Sequence, residues 1–578
     1  MARIARDPNN IFAIPSGSTV DKKGYVYINT STEYKEKKDG SGKYTTHGKK
    51  CIGTSIDRKK MYANAAYIRM FRTDVLPEPP ERPDSIVVGT RALVGILGME
   101  SGLISILKEV FPEKDACLIL DLASYMLTEE SAVFQHYPKW ARRHALFSET
   151  VRSDSFISTF LSNCISVSRI RNFTKLWGSR HIGSGHVYLC YDSTNTNSRA
   201  EGVFLVEKGH AKDDPDVPQV NTDYVLRQED GLPLTFLTFP GSIVDISEAP
   251  EMIRLIREIS DKRNVYVTIV CDRGYISKPN IDCLDENHID FLLMLRSNLN
   301  DSKELISEYG DSIRNSHKAY MTEYDKFGIT VRHQLFEEGG NRYFHIIWDP
   351  TLEAKDRKKL MSSIETKEKY LAKAIDRKTA FSMDEINRLC EWFNIEYDDA
   401  DPVTVKAKGR GKARTKKEEG FIITKASKSE ARISNSMAAC GFFILATSKR
   451  MTAQKAYEEY AKRDCVEKVF RALKSNLGMD SIGVHTDDAI HGKSLVWFVA
   501  AILRSLLFNR LSALRISDRK TYTVPASIDL LDEIVADRDI TSGKYERRYQ
   551  FTAKQKAILN ACGVTSEDVG TAIENLTA

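Results

Sequence analysis

The spacing of apolar and polar residues changes from region to region along this chain, and each spacing predicts a different kind of structure. Residues 1–75 alternate apolar and polar positions in short stretches, such as YVYI from Tyr25, between Gly, Lys and Ser turns. This alternation predicts a small β-rich module. The stretch LPEPPERP at 76–83 cannot form the interior of a helix and predicts a linker. From Val88 to His181 apolar residues recur every three or four positions, which predicts a series of helices.

From His186 onward the pattern is that of short buried strands joined by helices. Strands are predicted for HVYLCYD, GVFLVEKG, LPLTFLTFPG, NVYVTIVCD and IDFLLMLR, with the helix EAPEMIRLIREISDK after the third. This order is typical of an α/β core with a mixed sheet. Two of the strands end in an acid, Asp192 and Asp272. Both acids are candidate site residues, because α/β sheets usually place their ligands at the carboxyl ends of buried strands.

The α/β rhythm stops at about residue 302 and returns at about residue 437. We interpret 302–436 as an inserted, mostly β subdomain, because the strand GFFIL at 441–445 and a strong helix then resume the core. The expected fold class is therefore multidomain α/β. Its predicted segments are the module 1–75, a helical region 76–185, the core 186–301 and 437–515, the insertion 302–436 and a helical tail 516–578.

Composition narrows the class of protein. The 578 residues are 42% hydrophobic and 28% charged, as in soluble globular proteins. The longest apolar run, Leu495–Leu503, is shorter than the ~18 residues that cross a bilayer. No apolar signal segment is visible at the N-terminus, so we expect a cytosolic location and no membrane partner. The ten cysteines include no CxxC pair and predict buried thiols rather than a zinc site or a disulfide framework.

Charge is distributed unevenly along the chain. The net charge is only +5, but residues 1–75 hold 15 Lys and Arg against seven Asp and Glu, a net charge of +8. A second basic block, Lys406 to Lys417, has seven basic residues and no acid. Basic clusters on a nearly neutral chain favour a local contact with a polyanion. Solvated surface loops explain each block equally well when it is taken alone.

The segment YAKRDCVEKVFRALK carries the most distinctive polar pattern. If it forms one helix at 100° per residue, five polar groups lie within roughly 80° of one face, and apolar residues pack on the sheet. A carboxylate among cations suits metal-assisted phosphoryl transfer, in which the acid binds a divalent ion and the cations hold phosphates. An exposed helix with ion pairs four residues apart explains the same pattern. The five groups are Tyr460, Arg463, Glu467, Arg471 and Lys474.

Three acids of the chain could form one metal site. Asp192, Asp272 and Glu467 could converge as hard oxygen ligands for two Mg²⁺ ions, one beside the nucleophile and one beside the leaving oxygen. Periodicity alone leaves that convergence open.

The spacing Tyr460-x2-Arg463-x3-Glu467-x6-Lys474 resembles the Y-R-E-K signature of the insertion-sequence-four family of DDE transposases. Several other stretches are similar to that family: YDSTNTNS around Asp192, GHAKDDPDVPQV, GLPLTFLTFPGS, CDRGY around Asp272, and GFFILATS before the signature. One departure is that Cys440-Gly441 stands where the family has Asp-Gly. The resemblance covers roughly residues 185–510.

The resemblance implies a ribonuclease-H-like core that a mostly β insertion interrupts. It implies that Asp192, Asp272 and Glu467 bind two Mg²⁺ or Mn²⁺ ions, which cleave the inverted-repeat ends of an insertion sequence. The freed 3′-hydroxyls would then be joined to target DNA. Tyr460, Arg463 and Lys474 would hold DNA phosphates, with Arg471 and Arg273 close to DNA. The implied partners are double-stranded DNA and a second copy of the chain, and the implied location is the bacterial cytosol or nucleoid.

Three further features bear on DNA binding and assembly. Trp348 would stack an extruded base in such an enzyme, although a tryptophan in a strand is more often part of the core. The module 1–75 shows no helix-turn-helix pattern, so its expected role in DNA binding depends on its charge and position. The tail is a plausible dimer interface.

Two other functions remain open at the level of sequence. A ribonuclease-H-like nuclease or resolvase could use the same acids without strand transfer. A DNA-binding protein that has lost its activity could keep the fold, although an intact set of acids argues against it.

Overall fold

Two compact units, Met1–Asp84 and Ser85–Ala578, make up the computed structural model of this chain. The structure describes residues 10–36, 42–72, 84–209, 217–243, 245–297, 299–336, 339–406, 415–539 and 544–577. The predicted linker 76–83, most of the stretch GHAKDDPDVPQV and most of the basic block lie outside the described residues.

The first unit is a small β structure, in agreement with its alternating sequence. Five strands pair antiparallel in the order β1-β5-β4-β3-β2. One helix covers the sheet and contributes Tyr67 to a core with Val26, Ile52 and Met61. The elements are β1 (Ile11–Ala13), β2 (Thr19–Val20), β3 (Tyr25–Glu36), β4 (Gly42–Ser55), β5 (Lys60–Ala63) and α1 (Ala65–Phe71).

The second unit begins with a short strand and a set of helices, as the three-and-four periodicity predicts. These helices hold most of their apolar residues in one large core that they share with later parts of the chain. The elements are β6 (Ser85–Val87), α2 (Gly89–Ser101), α3 (Leu103–Val110), α4 (Glu113–Glu129), α5 (Tyr137–Ala141), α6 (Asp154–Asn163) and α7 (Val167–His181).

A run of strands and helices follows and builds the centre of the unit. The elements are β7 (His186–Asn197), β8 (Gln219–Arg227), β9 (Pro233–Pro240), α8 (Asp245–Asp261), β10 (Tyr266–Cys271), α9 (Lys278–Glu286), β11 (Asp290–Met294), α10 (Asn300–Arg314), β12 (Tyr320–Met321), β13 (Lys326–Gln334) and β14 (Asn341–Trp348).

The rest of the chain leaves the central sheet, returns to it and ends in a mixed tail. The elements are α11 (Pro350–Asp376), β15 (Ala380–Phe381), α12 (Met383–Leu389), β16 (Phe393–Lys406), β17 (Thr415–Lys428), α13 (Glu430–Ala438), β18 (Phe442–Thr447), α14 (Ala453–Ala461), α15 (Asp464–Asn476), α16 (Asp487–Arg510), α17 (Ser512–Ser517), α18 (Val524–Asp532), β19 (Val535–Arg538), β20 (Tyr545–Arg547), α19 (Ala553–Ala561) and α20 (Ser566–Thr577).

One nine-stranded sheet organises the second unit, in the order β12-β13-β14-β18-β11-β10-β7-β8-β9. Strands β7, β10 and β11 are parallel, and the other neighbours pair antiparallel. The fold is therefore mixed α/β, as the sequence predicts. Because β7, β10 and β11 are parallel, their carboxyl ends lie at one edge of the sheet.

The segment outside the central sheet is shorter than the predicted insertion 302–436. Strands β12, β13 and β14 fall within those residues, yet they extend the central sheet through the pairing of β14 with β18. The part that leaves this sheet runs from α11 to α13. It has its own three-stranded sheet, in the order β15-β17-β16, and its own apolar cluster.

One predicted strand does not form, and one strand of the central sheet was not predicted. The stretch GVFLVEKG forms turns and one isolated bridge, although its Val203 and Leu205 are buried. The second strand of the sheet is instead β8, QVNTDYVLR, in which polar residues are buried beside apolar ones. A strand that is covered on both faces does not need to alternate in polarity, so its sequence gave no period of two.

Helix α16 is the apolar centre of the helical part. By length and composition it could cross a membrane, but 83% of its most apolar window is buried inside the protein, as in the core helix of a globular fold. The tail after it is not purely helical, because β19 and β20 form a three-stranded sheet with β6.

Candidate active site

Asp192 and Asp272 lie side by side on neighbouring parallel strands. The last pair between β10 and β7 is Cys271 with Tyr191, so each acid is the next residue along its own strand. Adjacent strands are about 4.8 Å apart, which keeps the two carboxylates close. The prediction that Asp272 ends its strand is confirmed. Its side chain accepts the backbone N–H of Arg273 at 2.7 Å and caps a short 3-10 turn.

Asp192 does not end its strand, contrary to the sequence prediction. Strand β7 continues to Asn197, and Asp192 pairs with Tyr224 of β8. The polar run after it has the composition of a turn, but Ser193 to Thr196 are buried and paired with β8. Asp192 therefore lies at the point where β10 stops and β7 goes on.

The signature segment forms two helices rather than the single helix predicted. Helix α14 ends at Ala461 and α15 begins at Asp464. Between them the N–H of Arg463 donates to the carbonyl of Tyr460 at 3.0 Å, and the N–H of Cys465 donates to that of Lys462 at 3.1 Å. These three-residue spacings tighten the backbone. The helical spacing of polar and apolar residues continues across this turn, and the turn contains no Gly or Pro. The break between α14 and α15 is therefore not visible in the sequence.

Arg463 contacts all three predicted acids. Its Nη2 lies 2.7 Å from Oδ2 of Asp192 and 3.8 Å from Oδ2 of Asp272. Its Nη1 lies 3.9 Å from Oε1 of Glu467. The side chains of Arg463 and Asp192 are 12% and 13% exposed, whereas those of Asp272 and Glu467 are 42% and 61% exposed. The site is thus deep at Asp192 and open towards Glu467.

The charges at the site shift the titration of their neighbours. Burial opposes the charge on Arg463, but the negative charges of Asp192 and Asp272 raise the pKa of its guanidinium above the usual value. Burial, followed by the negative charge of Asp272, raises the pKa of Tyr460 well above its usual value. Tyr460 therefore keeps its phenol proton and can donate a hydrogen bond.

The donor set suits a divalent metal, although its present arrangement is not that of a metal cluster. Three carboxylates supply only oxygen ligands, which Mg²⁺ and Mn²⁺ prefer. They already share one cation, the guanidinium of Arg463, so the pocket attracts positive charge. Among the residues that the structure describes, no group of three or more His, Cys, Asp and Glu is placed to hold a metal ion. A metal ion at Asp192 would compete with the guanidinium of Arg463 for Oδ2 of that carboxylate.

The other predicted phosphate ligands lie at different distances from the acids. Nζ of Lys474 is 3.4 Å from Oδ1 of Asn195, three residues beyond Asp192 on β7. Arg471 is exposed on α15, and Arg273 is exposed directly after Asp272. The structure thus places Arg463 against the acids and Tyr460 near Asp272, joins Lys474 to Asn195 of β7, and leaves the other two arginines exposed.

Trp348 lies on the same edge of the sheet as the acids, at the carboxyl end of β14. Three strand spacings separate β14 from β10, roughly 14 Å. Its ring packs 5.2 Å from that of Phe327, and its indole N–H donates to Glu353 at 2.9 Å. These are the contacts of a packed side chain, the alternative that the sequence left open. Base stacking stays a prediction.

Sequence reasoning missed two groups that hold the acids in place. The guanidinium of Arg296, just after β11, donates to the carbonyls of Arg273 and Gly274 at 3.0 and 3.1 Å and fixes the turn after Asp272. The hydroxyl of Tyr191 donates to Asp223 at 2.5 Å, and its ring lies 4.5 Å from that of Tyr275. Arg296 could have been found, because it is the last residue of the predicted strand IDFLLMLR. Asp223 could not, because β8 was not predicted.

Comparisons with known proteins indicate a family for this chain. A family model described as a transposase DDE domain matches residues 184–503, more than half of the chain. No curated protein matches the chain. Among solved structures, the chain is similar to a cryo-EM structure of a piggyBac transposase synaptic complex with hairpin DNA. The two are 12% identical with a TM-score of 0.32, over 88% of this chain and 77% of that chain, which is too weak a likeness to carry an argument.

Proposed function

Because this chain belongs to the transposase DDE-domain family, we propose that it is a DNA transposase of the insertion-sequence-four type. It would bind the inverted-repeat ends of an insertion sequence, cleave them by phosphodiester hydrolysis and join the 3′-hydroxyl ends to target DNA. The observation that carries the proposal is the contact of Arg463 with Asp192, Asp272 and Glu467. These contacts support the proposal because they connect three acids that are far apart in sequence, and because Arg463 and Glu467 stand in the spacing of the signature.

The three acids are proposed as the metal ligands. Two Mg²⁺ or Mn²⁺ ions would supply Lewis acidity to the attacking water and to the leaving oxygen. The partly exposed Asp272 and Glu467 leave the site open to DNA, whereas the mostly buried Asp192 is held by the pairing of β7 with β8.

The cations of the signature are proposed to hold DNA phosphates. The planar guanidinium of Arg463 can form two parallel hydrogen bonds to a phosphate, and Lys474 acts as a single point charge. Tyr460 adds a neutral donor, because its phenol stays protonated. Arg471 and Arg273 would extend this cationic surface along the DNA backbone.

The fold is proposed to be ribonuclease-H-like. The order β9-β8-β7-β10-β11 supports this proposal: three antiparallel strands are followed by two parallel strands, each reached through a helix. We further propose that the chain acts in the bacterial cytosol, that two copies hold the two DNA ends, and that the tail 516–578 takes part in their contact.

Strand cleavage tests the assignment. The substrate is DNA carrying the short inverted repeats that flank the reading frame, incubated with the full chain and Mg²⁺. Asp192→Ala, Asp272→Ala and Glu467→Gln should each abolish cleavage, because each removes a metal ligand, while DNA binding is largely kept. Asp282→Asn is the matched control, since Asp282 is a surface acid of α9 paired with Lys278 at 3.0 Å.

The products separate the proposed function from its alternatives. Joined products in a plasmid target support a transposase, whereas nicks alone would support a nuclease or resolvase. Cleavage that survives in any of the three acid variants would contradict the assignment of the site. Binding without cleavage in the unaltered chain would indicate a DNA-binding protein without activity.

A further inference from the structure

Two cysteine thiols are in contact directly beneath the proposed site. Sγ of Cys465 lies 3.7 Å from Sγ of Cys190, and both residues are free cysteines. Cys190 is on β7, two residues before Asp192, and Cys465 is on α15, two residues before Glu467. The pair therefore bridges the strand and the helix that carry two of the three acids.

Cys465 is the accessible member of the pair. It lines a cavity of about 1040 Å³ between β7, α14, α15 and α16, together with Gln228 and Lys468. Cys190 is fully buried behind it, and its thiol donates to Oε1 of Gln228 at 3.3 Å. Gln228 is held in turn by Glu459, 2.8 Å away. Cys465, and not Cys190, is thus the member of the pair that lines the cavity.

The nearby Cys271 does not compete with this pair. Cys190 is opposite Val270 in the sheet register, so the two side chains point to one face and that of Cys271 points to the other. In agreement, Cys190 belongs to the apolar core on one side of the sheet and Cys271 to the core on the other side.

We propose that Cys190 and Cys465 form a redox-active dithiol, modified through the cavity by a low-molecular-weight disulfide. The Cys465 thiolate attacks one sulfur of that disulfide, forms a mixed disulfide and releases the other half as a thiolate. The Cys190 thiolate then attacks the sulfur of Cys465 and releases the second half. The protein loses two electrons and two protons, which leave as two molecules of thiol.

Closure of the bond requires the two sulfurs to approach each other. A disulfide places its sulfurs about 2.05 Å apart, so the pair must approach by about 1.7 Å. In a cytosol that keeps thiols reduced, the pair stays as two thiols, and oxidation closes it. The closed bond ties α15 to β7.

Mass spectrometry of the full-length protein tests the proposal. The protein is incubated with oxidised glutathione, its remaining thiols are alkylated, and the digest is analysed without reduction. The expected result is a linked peptide pair that contains Cys190 and Cys465. The pair should disappear after treatment with dithiothreitol.

Three variants test the order of the steps. Cys190→Ser should retain glutathione on Cys465, because the second attack is lost. Cys465→Ser should give neither the peptide pair nor glutathione on Cys190. Cys283→Ser, which removes a buried thiol of α9, is the matched control and should give the same pair as the unaltered chain.

Two results would overturn the proposal. One is the absence of the Cys190–Cys465 pair in the unaltered chain, with both residues recovered as alkylated thiols. The other is a dominant pair between Cys271 and either of these residues, which would contradict the assignment of the two faces. The unaltered chain decides both outcomes, so neither depends on the folding of a variant or on DNA cleavage.

Discussion

At the scale of single residues, Arg463 shows how the proposed site is stabilised without DNA. Three carboxylates at one edge of a sheet repel one another, and a guanidinium between them offsets this repulsion. The same position makes Arg463 a competitor for any divalent ion that the acids bind. Arg463 would therefore have two successive partners, the acids first and a DNA phosphate afterwards.

Removal of this competitor should strengthen metal binding. Arg463→Gln is expected to bind Mn²⁺ about tenfold more tightly than the unaltered chain, because the charged hydrogen bond to Asp192 no longer has to be broken. DNA cleavage by this variant should fall, since the phosphate contact is lost. Calorimetric titration with Mn²⁺ measures the affinity. Arg471→Gln, on the exposed face of α15, is the control, and equal affinities in all three proteins would contradict the competition.

Lys493 should give the stability a distinct pH dependence. Its Nζ donates to the carbonyl of Ile482 at 2.6 Å and lies over the rings of Phe134 and Trp497. Burial lowers its pKa to about 7, although Asp480 opposes the shift. Between about pH 7 and the usual lysine value near 10.4, the unfolded chain holds a proton that the folded protein lacks. Raising the pH in this window therefore favours the folded state.

The comparison with Lys493→Met isolates this effect. The free energy of unfolding of the unaltered chain, relative to the variant, should increase by roughly 2 kcal/mol between pH 7 and pH 9. Guanidinium denaturation at the two pH values measures the difference. A difference that is the same at both pH values would show that Lys493 titrates normally in the folded protein.

At the scale of elements, the sequence predicted the helices and strands that have a regular apolar spacing. It missed the strand whose burial depends on pairing with neighbouring strands. The helices from α2 to α7 and the strands β7, β9, β10 and β11 follow from apolar spacing. Strand β8 does not, because Asp223 and Asn221 are buried only through pairing with β7 and β9.

The candidate site was predictable to a similar degree. The signature spacing predicted Arg463 and Glu467 as site residues, and the predicted strand ends gave Asp192 and Asp272. The end of β7 and the turn between α14 and α15 were predicted wrongly. Both depend on contacts across the fold: the pairing of Ser193–Thr196 with β8, and the reach of Arg463 to Asp192. No pattern within either segment records those contacts.

The return of the chain to the central sheet depends on one glycine. Gly441 has a φ of 79°, and an added Cβ would lie 2.6 Å from Cβ of Glu353 and 2.8 Å from the carbonyl oxygen of Asp349. Gly441→Ala should therefore lower the free energy of unfolding by roughly 2–3 kcal/mol, through strain and overpacking. Thermal denaturation measures the loss.

Gly570→Ala is the matched control for this substitution. Gly570 lies within α20, and an added Cβ would meet nothing within 4 Å. Alanine there should stabilise the protein by up to about 1 kcal/mol, because it is the better helix former. Equal melting temperatures of the two variants would contradict the argument.

At the scale of the whole molecule, the two units differ in charge and are expected to have different roles. The module 1–75 carries a net charge of +8, and the other 503 residues carry −3. A chain without residues 1–84 should keep the fold of the second unit, because that unit has its own cores.

The loss of the first unit should appear in the salt dependence of DNA binding. Each phosphate contact that is removed lowers the slope of log affinity against log salt by about 0.9. The truncated chain should therefore bind DNA more weakly and with a shallower slope, which fluorescence anisotropy from 50 to 300 mM NaCl measures. An unchanged slope would place the phosphate contacts in the second unit instead.

The pairing of β6 with β19 sets the time at which the second unit can be finished. Val87 and Val535 are partners in this small sheet, and about 450 residues separate them. At roughly 5–20 residues per second, the ribosome needs on the order of 20–90 s to synthesise the second strand after the first. During that interval, the core of helices α2 to α7 lacks the residues that the tail contributes to it. A nascent chain therefore cannot complete its second unit until β19 has left the ribosome, so the early helices are exposed to solvent without their final partners during that interval.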